Sequence, residues 1–120
     1  MFGLMQQRQL LCRDIIEHAA RQHGQRRVVS RAHDGSIVVS NYATVRDRAL
    51  KVSQRLAADG IKHGDRVGTL AWSNLAHLEV WYGVAGMGAV YHPVNPRLFI
   101  EQIVYIINDA GDRILLLDLD

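Results

Sequence analysis

The chain has 120 residues, 48% of them apolar and 22% charged, with a formal net charge of +2. That is the make-up of a soluble globular protein, either one domain or a piece of a larger one. Its basic residues are spread out. Arg26-Arg27 and Arg46/Arg48 are too sparse for a nucleic-acid face, which needs a clustered basic surface.

One cysteine, Cys12, excludes a disulfide within the chain and any Cys-x-x-Cys site. Among Leu10, Leu11 and Ile15 it is expected to act as a small buried hydrophobe. No apolar run is long enough to span a bilayer. Met1 to Gln9 has too few apolar residues for a secretory signal, so the expected compartment is cytoplasmic.

In chain order, Gln6 to Gln22 reads as a helix with Leu11, Ile15 and Ala19 on one stripe and Ile16 beside them. Gly24 is expected to stop it in the left-handed conformation. Val28 to His33 and Ser36 to Val39 flank Asp34-Gly35, a hairpin signal, with His33 in the turn. Asn41 to Asp59 is the cleanest amphipathic helix. Val45, Ala49, Val52 and Leu56 form its apolar stripe, Asp47 and Lys51 are spaced to pair, and Ser40 or Asn41 can cap it. Gly60 ends it. Ile61 to Asp65 reads as a tight polar link with His63 exposed.

Then strands alternate with helices. Arg66 to Ala71 is a strand, Asn74 to Met87 a helix, Ala89 to His92 a strand, Leu98 to Ala110 a helix and Ile114 to Leu117 a strand. This β-α-β-α-β order predicts right-handed crossovers and a parallel sheet. The helix from Asn74 is apolar almost all round, so it must be covered on more than one side. The fold class is therefore α/β: a parallel sheet portion preceded by a helix, a small β-hairpin and an amphipathic helix.

Gly83, Gly86 and Gly88 look like a dinucleotide fingerprint, but they close a helix instead of opening one. Close helix packing and helix termination explain them better. The Tyr91-to-Leu98 loop lies at the carboxyl end of a strand, where open α/β sheets bind ligands. His92, Asn95 and Arg97 could serve there. The simpler reading, that the loop with its two prolines aims the next helix, is preferred. Asn95 is expected to bond its own backbone. Asp118 and Asp120 could face one way, though a solvated terminus explains them equally. No P-loop, Gly-x-Ser-x-Gly or His-Glu-x-x-His motif occurs, and no catalytic, cofactor-binding or metal residue is assigned.

Several runs together resemble the amino-terminal part of acyl-CoA synthetases, the adenylate-forming (AMP-binding) enzymes. They are Asn41-Tyr42-Ala43-Thr44-Val45, Gly64 to Trp72, Gly86-Met87-Gly88-Ala89-Val90, His92-Pro93-Val94-Asn95-Pro96-Arg97-Leu98 and Glu101 to Ile106. The branch resembled handles medium- and long-chain fatty acids. The resemblance implies a parent that joins a fatty acid to coenzyme A through an acyl-adenylate, using ATP and magnesium and releasing pyrophosphate and AMP. Ile100 stands where a proline is common in that family. The family's phosphate loop, adenine and ribose motifs and catalytic lysine match no position here.

The expectation is thus a truncated synthetase: residues 1–120 as a partial amino-terminal AMP-binding domain, inactive alone, without cofactors of its own, and open to homo-oligomer formation. The strand Ile114 to Leu117 is expected to be left as a hydrophobic edge. The alternatives are a stand-alone α/β binding or assembly module without catalysis, or a small Rossmann-like nucleotide binder.

Overall fold

Alternation between period-two and helical patterns sets the element order. The computed structural model describes residues 3–119. Expectations for Met1 and Asp120 lie outside the described residues. The elements are α1 (Cys12–His23), β1 (Arg27–Arg31), β2 (Ile37–Asn41), α2 (Tyr42–Ala58), β3 (Arg66–Leu70), α3 (Leu75–Gly86), β4 (Val90–Pro93), α4 (Ile100–Ala110) and β5 (Ile114–Leu117). No helix among the described residues is long and apolar enough to cross a membrane.

The strands form two separate sheets, as the patterns imply. β1 and β2 pair antiparallel, while β3 lies between β4 and β5 in a parallel sheet of three strands. The order β4-β3-β5 carries the chain to one side of β3 and then back across it. Right-handed crossovers then put α3 and α4 on opposite faces of the sheet. On the α3 face, Val67, Tyr91, Ile114 and Leu116 meet Leu56, Ile61, Val84 and Ala89, and this is the core. Ile61 belongs to that core, so the link before β3 is less polar than its neighbours suggest. β5 is an edge strand, and Leu117 is half exposed.

The first helix departs from expectation in three ways. It begins at Cys12, not Gln6, because Leu11 at its cap position offers no side-chain acceptor for the free N–H groups. Cys12 therefore opens the helix and is exposed, not buried. The buried position is Ile16, whereas Ile15 is 58% exposed, so the helix is turned by about one residue from the expected stripe. Gly24 does end α1, but with φ −50° it is right-handed. Its carbonyl accepts from Ala43 N–H at 3.1 Å, so the end of α1 caps the start of α2.

The hairpin turn uses Gly35 at φ 84°, and Asp34 Oδ1 accepts from Ser36 N–H at 2.9 Å. Asn41 caps α2 by accepting from Thr44 N–H at 2.8 Å. The stripe of Val45, Ala49 and Leu56 is buried as expected. Asp47 takes Arg46 as its partner at 3.1 Å in place of Lys51.

Helix α3 is covered on several sides, as its composition requires. It packs on α2, on α1, on β4 and on the hairpin strand β1. The tightest crossing is at Gly83. A Cβ there would lie 2.7 Å from Val52 Cβ and 2.8 Å from Ala49 O. Ser53 Oγ adds a hydrogen bond to Gly83 O at 2.7 Å. The glycines are thus packing and termination residues: Gly88, at φ 83°, ends the α3 turn against His63.

One charge is buried at the same crossing. Glu79 is 5% exposed, its Oε2 meets Arg48 Nε at 3.1 Å, and its Oε1 has no partner. Burial pushes its carboxyl above the ordinary 4.5, against the pull of Arg48.

Two outcomes follow. In a solvent-exposed helix Gly→Ala stabilises, but Gly83→Ala should destabilise the chain by about 1–3 kcal/mol through overpacking, read from urea unfolding. A carboxyl with a raised folded pKa binds its proton more tightly in the folded state. Stability should therefore fall as pH rises through the interval just above 4.5. Glu79→Gln should flatten that slope in pH-resolved melts, and an unchanged slope would assign it to another group.

Candidate functional site

The carboxyl end of a parallel sheet is where its loops can gather a ligand. Here that end holds the turn from β3 into α3, the loop after β4 and the residues after β5. A polar cluster fills it. Thr69, only 1% exposed, points its hydroxyl at His77, with Oγ1 3.2 Å from Nε2. The Tyr91 hydroxyl also bonds His77 Nε2. On the other side of the ring, Nδ1 lies 3.0 Å from Trp72 O. A carbonyl only accepts, so Nδ1 carries a hydrogen, and the two hydroxyls share the single remaining position at Nε2.

Most backbone donors at the start of α3 are engaged. Asn74 Oδ1 accepts from His77 N–H at 3.0 Å, and Ser30 Oγ accepts from Leu75 N–H at 3.0 Å. Asp118 Oδ2 accepts from Trp72 N–H at 2.8 Å and from Asn74 Nδ2 at 3.3 Å. Asp118 is thus a bonded group, not a solvated end. The parallel register pairs Leu70 with Leu117, which brings the next residue beside Trp72. A helix N-terminus is a ready phosphate site only while its donors are free. Here a carboxylate, an amide and a hydroxyl of the chain itself occupy this turn. These residues do not fit a nucleotide phosphate. No three His, Cys, Asp or Glu side chains converge as metal ligands among the described residues.

The three loop residues weighed from sequence separate. His92 Nδ1 lies 2.8 Å from Asp112 Oδ2, whose side chain is 1% exposed. Asp112 sits over Gly68 of the central strand, where a Cβ would come within 2.8 Å of its Oδ2. Its Oδ1 has no partner. The pair ties edge strand β4 to the turn between α4 and β5. Asn95 Oδ1 accepts from Arg97 N–H at 3.0 Å, the local turn its position before a proline suggested. Arg97 is exposed. Ile100, where relatives favour proline, is the first residue of α4, a position at which proline is well tolerated. The loop therefore aims α4, and the three side chains do not converge.

Sequence reading missed Thr69, His77, Tyr91 and Asp112 as connected groups. Their partners lie 8 to 20 positions away, and no local spacing marks them. The Asn74 cap three residues before His77 was the only nearby signal.

Removing one partner of the buried pair should reveal its cost. His92→Ala leaves the buried Asp112 carboxylate without this hydrogen bond and should lower stability by about 1–3 kcal/mol. Replacing both residues with apolar ones should cost much less, and equal losses would mean that the pair is not energetically coupled.

Known proteins fit this geometry. A family model described as AMP-binding enzyme matches residues 16–120. The chain is 48% identical over 118 residues to a medium-chain-fatty-acid–CoA ligase of Ectopseudomonas oleovorans, covering 98% of this chain and 22% of that protein. It is 46% identical over 118 residues to a 3-methylmercaptopropionyl-CoA ligase of Ruegeria lacuscaerulensis, again covering 98% of this chain and 22% of the relative. Its fold matches the crystal structure of the N-terminal domain of FACL13 from Mycobacterium tuberculosis with a TM-score of 0.83 at 25% identity. That match covers 91% of this chain and 27% of the other. The chain thus spans about a fifth of the length of these curated relatives. With the α/β order, the sheet topology and the sequence match in agreement, the chain belongs to the AMP-binding enzyme family.

Proposed function

We propose that these residues are the amino-terminal portion of an ATP-dependent fatty-acid–CoA ligase. The observation that carries this is the match of 98% of this chain, at 48% identity, to a medium-chain-fatty-acid–CoA ligase. The parent reaction activates a carboxylate. A carboxylate oxygen attacks the α-phosphorus of ATP and pyrophosphate leaves. The thiol of coenzyme A then attacks the acyl carbon and AMP leaves.

The role of this portion is scaffolding. Thr69, Asn74, His77, Tyr91 and Asp118 at the sheet's carboxyl end are engaged with other parts of the chain, which favours holding loops in place over handling a substrate. Groups for the phosphates, the adenosine and the thiol would come from other residues of the parent, beyond a partial AMP-binding domain spanning 1–120. ATP, magnesium and coenzyme A are therefore cofactors and substrates of the parent. The likeness to the 3-methylmercaptopropionyl-CoA ligase is almost as high, so acyl selectivity is assigned to residues outside this portion.

The test separates portion from parent. The purified 120-residue chain with ATP, magnesium and octanoate should release no more pyrophosphate than a heat-denatured control. A longer protein that carries these residues should release AMP and form octanoyl-CoA. Release by the short chain would overturn the scaffolding role. Failure of the longer protein with every carboxylate from acetate to stearate would overturn the ligase reading and favour a binding module without catalysis.

A further inference from the structure

The hairpin turn carries a reactive pair of its own, away from the sheet. In Asp34-Gly35 a side-chain carboxyl sits beside a backbone nitrogen that no side chain shields. Both residues are exposed, and a Cβ on Gly35 would meet nothing within 4 Å. When the carboxyl is protonated, the Gly35 nitrogen can attack Asp34 Cγ and close a five-membered succinimide. The carboxyl hydroxyl and the amide hydrogen leave together as water. A second water then opens the ring. Attack at Cγ restores aspartate, whereas attack at the main-chain carbonyl carbon leaves isoaspartate, with the backbone running through Cγ and lengthened by one methylene. Neither step needs an oxidant or a cofactor.

The closed turn ties down both reacting groups. Gly35 N–H donates to Ala32 O at 3.0 Å, and Asp34 Oδ1 accepts from Ser36 N–H at 2.9 Å. The carboxyl is thus held on Ser36 and not on the Gly35 nitrogen. Ala32 N–H donates to Ser36 O at 2.9 Å and closes the three-residue loop, with Gly35 in the left-handed region. The bonds from Ser36 also hold the Asp34 carboxyl below the ordinary 3.8, and an ionised carboxylate is a poor electrophile. This shelter lasts only while the hairpin is closed. A two-stranded ribbon is weak by itself. Val29 and Val39, opposite one another, are 56% and 50% exposed, so little apolar burial holds β1 to β2. Elements of this kind open well below the free energy of global unfolding.

We propose that Asp34 is a site of covalent modification, converted to isoaspartate through a succinimide when the β1–β2 hairpin opens and sheltered while it is closed. The product does not fit the turn it came from. An extra methylene between Ala32 and Ser36 breaks the loop that sets the pairing of Ser30 with Val38 and of Arg27 with Asn41. That register puts Ser30 Oγ on Leu75 N–H and Asn41 Oδ1 on Thr44 N–H. Damage at an exposed turn therefore loosens the starts of α3 and α2. The proposal stands whatever reaction the longer protein runs.

Trypsin cuts after Arg31 and Arg46 and releases residues 32–46 as one peptide, in which Asp34 is the only aspartate. Isoaspartate has the same mass as aspartate but elutes apart from it and resists the protease Asp-N, so its fraction is read directly. Deamidation of Asn41 changes the mass and does not interfere. The folded sample is a longer protein that carries these residues, and the same protein in guanidinium is the open sample. At neutral pH the open sample should form isoaspartate at residue 34 at least about tenfold faster. Denaturant below the main unfolding transition should already raise the rate, because the hairpin opens before the core. Equal rates in the two samples, or no isoaspartate in the open one, would overturn the proposal. A rate that rises only with global unfolding would remove the hairpin as the gate. Asp34→Glu, whose ring would have six members, should leave the peptide in one form in both samples, and a second form there would place the chemistry elsewhere. Refolded isoaspartate protein should exchange its amides faster across 27–41 and at the start of α3, with β3 unchanged. Unaltered exchange in the hairpin would sink the structural consequence.

Discussion

The close crossing of α2 and α3 at Gly83 is the constraint on which the rest of the fold depends. Val52 and Ala49 O stand where a side chain would be, so only glycine lets the two helix backbones meet. That approach brings Leu56 and Val84 together over the sheet and closes the core. It also places Ser53 on Gly83 O and draws Arg48 to the buried Glu79. The same crossing thus supplies packing, a hydrogen bond and a sheltered charge. An apolar helix such as α3 is stable because four other elements, α1, α2, β1 and β4, share its surface.

The sheet is held from both ends by polar ties. At the carboxyl end, Asp118 and Asn74 fasten the β3–α3 turn to the residue after β5. The His92–Asp112 pair joins the edge strand β4 to the turn before β5, across Gly68. Buried pairs of this kind add little net stability but penalise any arrangement that separates them. They favour one strand order over its alternatives. Asn74, His92, Asp112 and Asp118 are used to fix that order.

Much of the fold was legible from pattern. The strand and helix order, the Asp-Gly turn, the α2 stripe, the Asn41 cap and the terminating role of Gly88 all depend on neighbours within one helical turn or one hairpin. The misplaced start of α1 has the same root. Its apolar residues suggested a helix from Gln6, but no capping side chain precedes Cys12, and the register then turned Ile16 inward instead of Ile15. Period alone does not choose between two adjacent isoleucines when both stripes are plausible.

The sequence by itself determined the α/β class, the family and the places where the chain turns. These follow from local periodicity, from glycine and proline geometry and from the runs that resemble acyl-CoA synthetases. Only the tertiary structure decided which polar groups are spent on one another. Strand register brought Asp118 to Trp72, Asp112 to His92 and Tyr91 to His77. Those meetings depend on distances between segments far apart in the chain, and no local spacing encodes them.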